Sequence, residues 1–230
     1  MMPHAVSGSR AAGFSHTRSN SEIADNVMNK DIKNIIFDLG GVLVGLDAAR
    51  CIDAFRRIGC GETAVYVEEH RTEDLFLDIE LGRATTQDFC RKVRSLSHCD
   101  VGDERIIWAW NQLLTSVAPE KKVRLRQLGS RYRLFLLSNT NEMHWLKCRD
   151  ELLPCDGCGG ADYFERVFLS YEMQKKKPDA DIFIQTLHDA GIDAAETLFI
   201  DDSADNCRTA VALGIRTLHE TTGSDWLSRL

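Results

Sequence analysis

Four short stretches of this chain carry side chains with chemistry to do. Asp38 stands in Phe37-Asp-Leu-Gly-Gly-Val-Leu43, and Ser138 and Asn139 stand in Leu137-Ser-Asn-Thr-Asn141. Lys177 closes a run of three lysines before Pro178, and Asp201-Asp202 stand in Phe199-Ile-Asp-Asp-Ser-Ala-Asp-Asn206. Three carboxylates gathered in one place repel each other unless a cation sits among them. Hard oxygen ligands with water positions to spare suit Mg²⁺. A metal and a lysine together suit a substrate that brings more negative charge, such as a phosphate. Once that charge is cancelled, a carboxylate can attack phosphorus and form an aspartyl-phosphate. Each group also has an ordinary use. Asp38 and Asp201-Asp202 can cap helices, Ser138-Asn139 can make a turn, and Lys177 can belong to a solvated face. The order and placement of all four argue for a site.

Those residues converge only if strands deliver them. Lys33-Asn-Ile-Ile-Phe37, Leu134–Leu137, Val167–Leu169 and Leu198–Ile200 are short apolar runs, each followed at once by a polar residue, and Gly214–Leu218 is a candidate fifth. Such runs suit strands buried on both faces. Helical patterns over about 119–129, 141–150, 179–190 and 203–213 separate them. The alternation predicts an α/β fold, a Rossmann-like parallel sheet with helices on both faces. Ligands of such sheets bind beyond the carboxyl ends of the strands. Asp38, Ser138-Asn139, Ser170 and Asp201-Asp202 all fall there. Pro178 suits the first turn of the helix after Lys177, where its missing N–H costs nothing.

The stretch 48–117 breaks the rhythm with no convincing strand. Ala48–Ile58 closed by Gly59, Glu73–Leu81 closed by Gly82, a segment capped by Thr85 or Thr86 through Ser97, and one capped by Asp103 read as about four helices. The expected organisation is a leader over 1–30, an α/β core over 31–47 and 118–230, and an all-helical cap over 48–117. Trp108 and Trp110 are alternate residues that cannot share one helix face; both are read as packing inside the cap.

The chain has 230 residues and a net charge of −7, with 43% hydrophobic and 27% charged residues. These values exclude whole-chain disorder. The acidic balance argues against a nucleic-acid partner. No run approaches the roughly 18 apolar residues of a membrane span. The polar leader lacks the apolar centre of an export signal. A cytoplasmic setting is therefore expected, with the eight cysteines as thiols.

The four stretches, in this order, resemble the four motifs of the haloacid dehalogenase superfamily, over roughly residues 32–220 and with a helical cap after the first. Gly-Gly after Asp-Leu, and Ala-Asp-Asn after the paired aspartates, are similar to the branch of glucose-1-phosphatase-type enzymes. The resemblance implies Asp38 as nucleophile and metal ligand, the carbonyl of Gly40 and Asp202 as further Mg²⁺ ligands, and Asp201 as the partner of Lys177 or of a metal-bound water. It implies Ser138, Asn139 and Lys177 as holders of the phosphoryl oxygens, and Asn206 as a brace of the fourth motif. Most phosphatases of the superfamily carry an acid two residues after the nucleophile; Gly40 stands there. A general acid contributes about 10²–10⁴-fold. A sugar 1-phosphate fits that gap, because its anomeric hydroxyl leaves more readily than a simple alcohol. Asp47 is a substitute acid or, more simply, a solvated hinge residue.

The leading expectation is a Mg²⁺-dependent phosphatase acting on a small phosphomonoester such as a hexose 1-phosphate. A 2-haloacid dehalogenase attacks carbon without metal and leaves Asp201-Asp202 superfluous. A non-catalytic phosphate-binding domain rests on Gly40 alone, and a mutase ranks below the phosphatase. The cap pattern carries no code for the substrate, and the oligomeric state is not readable. Outside the motifs, His144, Cys148, Cys155 and Cys158 offer one imidazole and three thiols, a ligand count that matches zinc. The simpler expectation is a group of free thiols beside a surface histidine.

Overall fold

The computed structural model describes residues 31–69 and 75–230; the expected leader and the beginning of the helix expected from Glu73 lie outside them. Five parallel strands form one sheet: β1 (Asn34–Phe37), β2 (Arg133–Ser138), β3 (Arg166–Leu169), β4 (Thr197–Asp201) and β5 (Arg216–His219), in the order β3-β2-β1-β4-β5. Every residue of β1 and β4 is buried, as runs without polar alternation require.

Successive side chains leave a strand on opposite faces. Ile35 and Phe37 join Leu134, Leu136, Leu198 and Ile200 on one side, and Ile36 joins Phe135, Leu137, Phe168 and Phe199 on the other. Burying one such side chain contributes about 1.5–3 kcal/mol. A one-residue slip would exchange the two faces along a whole strand, so the register is strongly specified. That register pairs Phe37 with Leu136 and with Ile200. The Asp38 N–H donates to the Ile200 carbonyl at 2.9 Å, so the pairing continues to the strand end and sets Asp38 beside Asp201.

Six helices surround the sheet: α6 (Pro119–Gly129), α7 (Glu142–Lys147), α8 (Ser170–Met173), α9 (Ala180–Ala190), α10 (Ala204–Ala212) and α11 (Asp225–Arg229). The expected helix over 141–150 runs on after Lys147 as a wide turn through Leu152, with the Leu153 N–H reaching Cys148 O at 2.8 Å. Pro178 is not in the first turn of α9. It sits in a turn closed by the Asp179 N–H on Lys176 O, and the helix starts at Ala180. That turn carries Lys177 inward before the helix begins.

Between β1 and α6 the described residues form five helices: α1 (Ala48–Arg57), α2 (Gly61–Glu68), α3 (Leu75–Glu80), α4 (Thr86–Ser97) and α5 (Asp103–Asn111). No local pattern marks α2, because Thr63, Val65 and Val67 are poor helix formers that only packing overrides. Asp47 caps α1 by accepting the Arg50 N–H, and Thr85 with Asp88 forms a reciprocal capping box on α4. Phe55, Phe76, Phe89, Ile106 and Trp110 make a core separate from the sheet's. The chain enters and leaves this insert side by side: Asp47 N–H donates to Leu113 O and Thr115 N–H to Gly45 O, both at 2.8 Å.

Candidate active site

Lys177 is the centre of the geometry. Its ammonium is 2% exposed and spends its three hydrogens on Leu137 O at 2.9 Å, Asp201 Oδ2 at 2.6 Å and Asp38 Oδ1 at 2.8 Å. Burial alone would discharge a lysine; the two carboxylates outweigh it and hold its pKa above the ordinary value. Asn139 fixes the approach. Its Oδ1 accepts the Lys177 N–H at 2.9 Å and its Nδ2 donates to Lys177 O at 2.8 Å, which leaves one amide hydrogen for another acceptor. Ser138 is buried next to it. Ser170, at the end of β3, is occupied in bracing this loop: its hydroxyl donates to Thr140 O and accepts from Thr140 N–H, each at 3.0 Å.

At the end of β4 the two aspartates divide. Asp201 is fully buried and uses both oxygens within the protein, Oδ2 on Lys177 and Oδ1 on the Ser203 N–H at 2.8 Å and Asn206 Nδ2 at 2.9 Å. Ser203, not an aspartate, caps α10. Asp202 points outward onto the turn after β1. Gly41 there has φ +74°, and a Cβ on it would fall 2.2 Å from Asp202 Oδ2, so only glycine lets that carboxylate reach the site.

Asp38, Asp201 and Asp202 each place a carboxylate oxygen within 4.8 Å of the others, the one such group among the described residues. Three carboxylates face one ammonium, a deficit of two charges that a divalent cation would cancel. That crowding of charge acts on the carboxyl groups themselves. Burial pushes Asp38 up to about 7, against the pull of Lys177 and with the help of Asp201. Burial, then Asp201, also raises Asp202. Since Asp201 is spent internally, Asp38 and Asp202 remain to face an ion. The donor set of hard oxygens fits Mg²⁺.

Between this acid centre and the insert lies a cavity of about 330 Å³. Gly40, Ser138 and Asn139 line its floor, and Leu46, Val67, Phe76, Trp110 and Leu113 line much of the rest. Glu80, which the sequence did not single out, also lines it. Only its place at the end of an otherwise amphipathic helix could have marked it. Trp110 is buried as expected, stacked 4.6 Å from Phe76 and 4.7 Å from His144. Trp108 corrects the expectation: it is 42% exposed, beneath the Arg57 guanidinium.

His144 is no surface residue either. It is 6% exposed, with Nε2 3.2 Å from Trp110 O and Nδ1 3.2 Å from Asn141 Nδ2, and burial lowers its pKa to about 4. Its ring is thus committed away from the thiols of Cys148, Cys155 and Cys158. Cys155 instead accepts from the Tyr163 hydroxyl at 2.9 Å and an Arg126 guanidinium nitrogen at 3.2 Å.

The family model of the haloacid dehalogenase-like hydrolases matches residues 32–214. The chain is 30% identical over 201 residues to the D-ribitol-5-phosphate phosphatase of Bacteroides thetaiotaomicron, covering 86% of this chain and 97% of that protein. A HAD family enzyme of the same bacterium, solved in complex with magnesium and inorganic phosphate, superposes with a TM-score of 0.81 at 41% identity, over 85% of this chain and 97% of the other. A predicted HAD-like hydrolase of Porphyromonas gingivalis superposes with a TM-score of 0.78 at 34% identity, over 86% and 95%. Among the described residues no helix is long and apolar enough to cross a membrane.

Proposed function

Because this chain belongs to the haloacid dehalogenase-like hydrolases, we propose that it is a Mg²⁺-dependent phosphatase of small hydroxylated phosphomonoesters. The observation that carries this reading is Lys177, bonded at once to Asp38 and Asp201 with the Asp202 carboxylate in the same group. Asp38 attacks phosphorus; the new Oδ–P bond forms as the ester P–O bond breaks, and the departing oxygen takes up a proton. Water then attacks the aspartyl-phosphate, releasing phosphate and restoring Asp38. Ser138, the free amide hydrogen of Asn139, and Lys177 hold the phosphoryl oxygens, and Asp201 keeps Lys177 charged and aimed. Asp38, Asp202 and the Gly40 carbonyl would hold Mg²⁺, which supplies charge neutralisation when bound.

The helices of 48–117 act as a cap over this site, and the cavity has room for one small ester. The ribitol-5-phosphate phosphatase relative supports an alditol phosphate as the first candidate. A hexose 1-phosphate, the ester favoured by Gly40, is the second. Dehalogenation at carbon is the weaker reading, because it gives the carboxylate of Asp202 no work.

Phosphate release from ribitol 5-phosphate, glucose 1-phosphate, glucose 6-phosphate and p-nitrophenyl phosphate, with Mg²⁺ and with EDTA, tests the reading. Mg²⁺-dependent release from a sugar or alditol ester is the expected result. Halide release from a 2-haloacid with EDTA present would favour the dehalogenase, and no release from any ester the non-catalytic domain.

A further inference from the structure

We propose that Glu80 selects for a substrate hydroxyl inside the cavity, an assignment that rests on the phosphatase reading above. Glu80 is the only carboxylate among the described residues lining that cavity, and its neighbours there include Phe76, Val67 and Trp110. The other ionisable lining residue, His144, has both ring nitrogens engaged. Glu80 closes α3, where a negative side chain meets the negative end of the helix dipole, so helix stability does not explain it.

Gly82, two residues on, has φ +64°, and a Cβ on it would lie 2.1 Å from Tyr171 O, so the end of α3 is pressed against the sheet domain. Glu80 has no hydrogen bond to another described side chain or backbone group. Burial raises its pKa and the nearby Lys176 opposes that rise. Glu80 is half-buried, and a carboxyl group drawn partly out of water beside apolar side chains is stabilised by a hydrogen-bond partner. A hydroxyl serves both protonation states, because it donates to a carboxylate and accepts from a carboxylic acid. A substrate ammonium would serve only one, and Lys176 repels it.

The test compares kcat/KM for ribitol 5-phosphate and n-pentyl phosphate, two primary esters of five-carbon chains that differ only in hydroxyls. Wild type, Glu80→Leu and Glu80→Gln are each measured, with p-nitrophenyl phosphate and the thermal midpoint as checks on folding. The ribitol-to-pentyl ratio is expected to fall about 10- to 100-fold in Glu80→Leu, the range of one lost hydrogen bond to a charged group. It should fall less in Glu80→Gln, which keeps an acceptor. A ratio unchanged in Glu80→Leu, while the wild type turns over both esters, overturns the assignment alone. Equal loss on both esters in a folded variant also overturns it, by placing Glu80 at the reacting centre. A wild type with no Mg²⁺-dependent turnover of p-nitrophenyl phosphate overturns the phosphatase reading and this assignment with it.

Discussion

The cavity's floor is made of strand ends and its roof of inserted helices, and the two treat their polar groups in opposite ways. At the floor Asn139, and beneath it Lys177, Asp201 and Asn206, are bound to one another or to backbone. On the roof Phe76 and Trp110 stack, with His144 of α7 against the other face of Trp110, while Trp110 Nε1 and Asn111 Oδ1 are buried with no partner and Glu80 faces the cavity. A network with every member satisfied has one arrangement. A packed wall with few polar groups keeps its shape through volume alone and tolerates exchange of its residues. In this molecule the reacting groups therefore lie where geometry is over-determined, and the groups that meet the rest of a substrate lie where it is not.

The largest expected effect breaks the floor chemically. Asp38→Asn keeps shape and volume but removes the nucleophile, so turnover should drop about 10⁴-fold or more, some 5.5 kcal/mol of barrier, with the thermal midpoint within a few degrees of wild type. More than a few per cent of activity left would exclude the aspartyl-phosphate. Next comes the roof. Phe76→Ala deletes a ring at the centre of the insert's core and should cost about 3–5 kcal/mol in urea unfolding. A cost under about 1 kcal/mol would show that the roof is not a packed core.

Asp202→Ala separates charge from packing on the floor. Without metal it relieves repulsion and should leave the melting temperature unchanged or higher, while the Mg²⁺ midpoint for activity rises at least about tenfold, or 1.4 kcal/mol. An unmoved midpoint contradicts its role as a ligand.

The last effect is on stability alone and concerns the floor's support. Glu220 is fully buried and binds the backbone N–H groups of Thr222, Asp225 and Trp226 at 2.9–3.0 Å, while Trp226 meets Phe37 edge-on at 5.1 Å. Burial pulls its pKa up, but those three donors outweigh it and leave it below the ordinary value. The stabilisation is therefore complete above the unfolded glutamate value of about 4.3 and is lost as pH falls through the lower folded value. Glu220→Gln should cost about 1.5–3 kcal/mol at neutral pH and flatten the stability curve below pH ~4. An acid limb as steep as wild type would assign that sensitivity to other carboxylates.

The amino-acid sequence by itself determined the sheet and the order of its motifs. Apolar runs of three to five residues followed by Asp38, Ser138 and Asp201 are local patterns, and a parallel sheet turns local strand ends into one shared edge. Asn206 as a brace was implied by the resemblance of its motif, and its amide does donate to Asp201 Oδ1 at 2.9 Å. What needed more than one segment was decided only by the tertiary structure. Motif order placed Lys177 at the site, but its burial between Asp38 and Asp201 was decided by a turn before α9 that carries it inward. His144 was expected at the surface and Trp108 inside, and they exchanged places because burial depends on which neighbours arrive, not on the residue's own helix. Glu80 entered the cavity because Gly82 fits against the carbonyl of Tyr171, about ninety residues away in sequence. No spacing within α3 encodes such a contact, which is why the catalytic floor could be read from the chain and the selective roof could not.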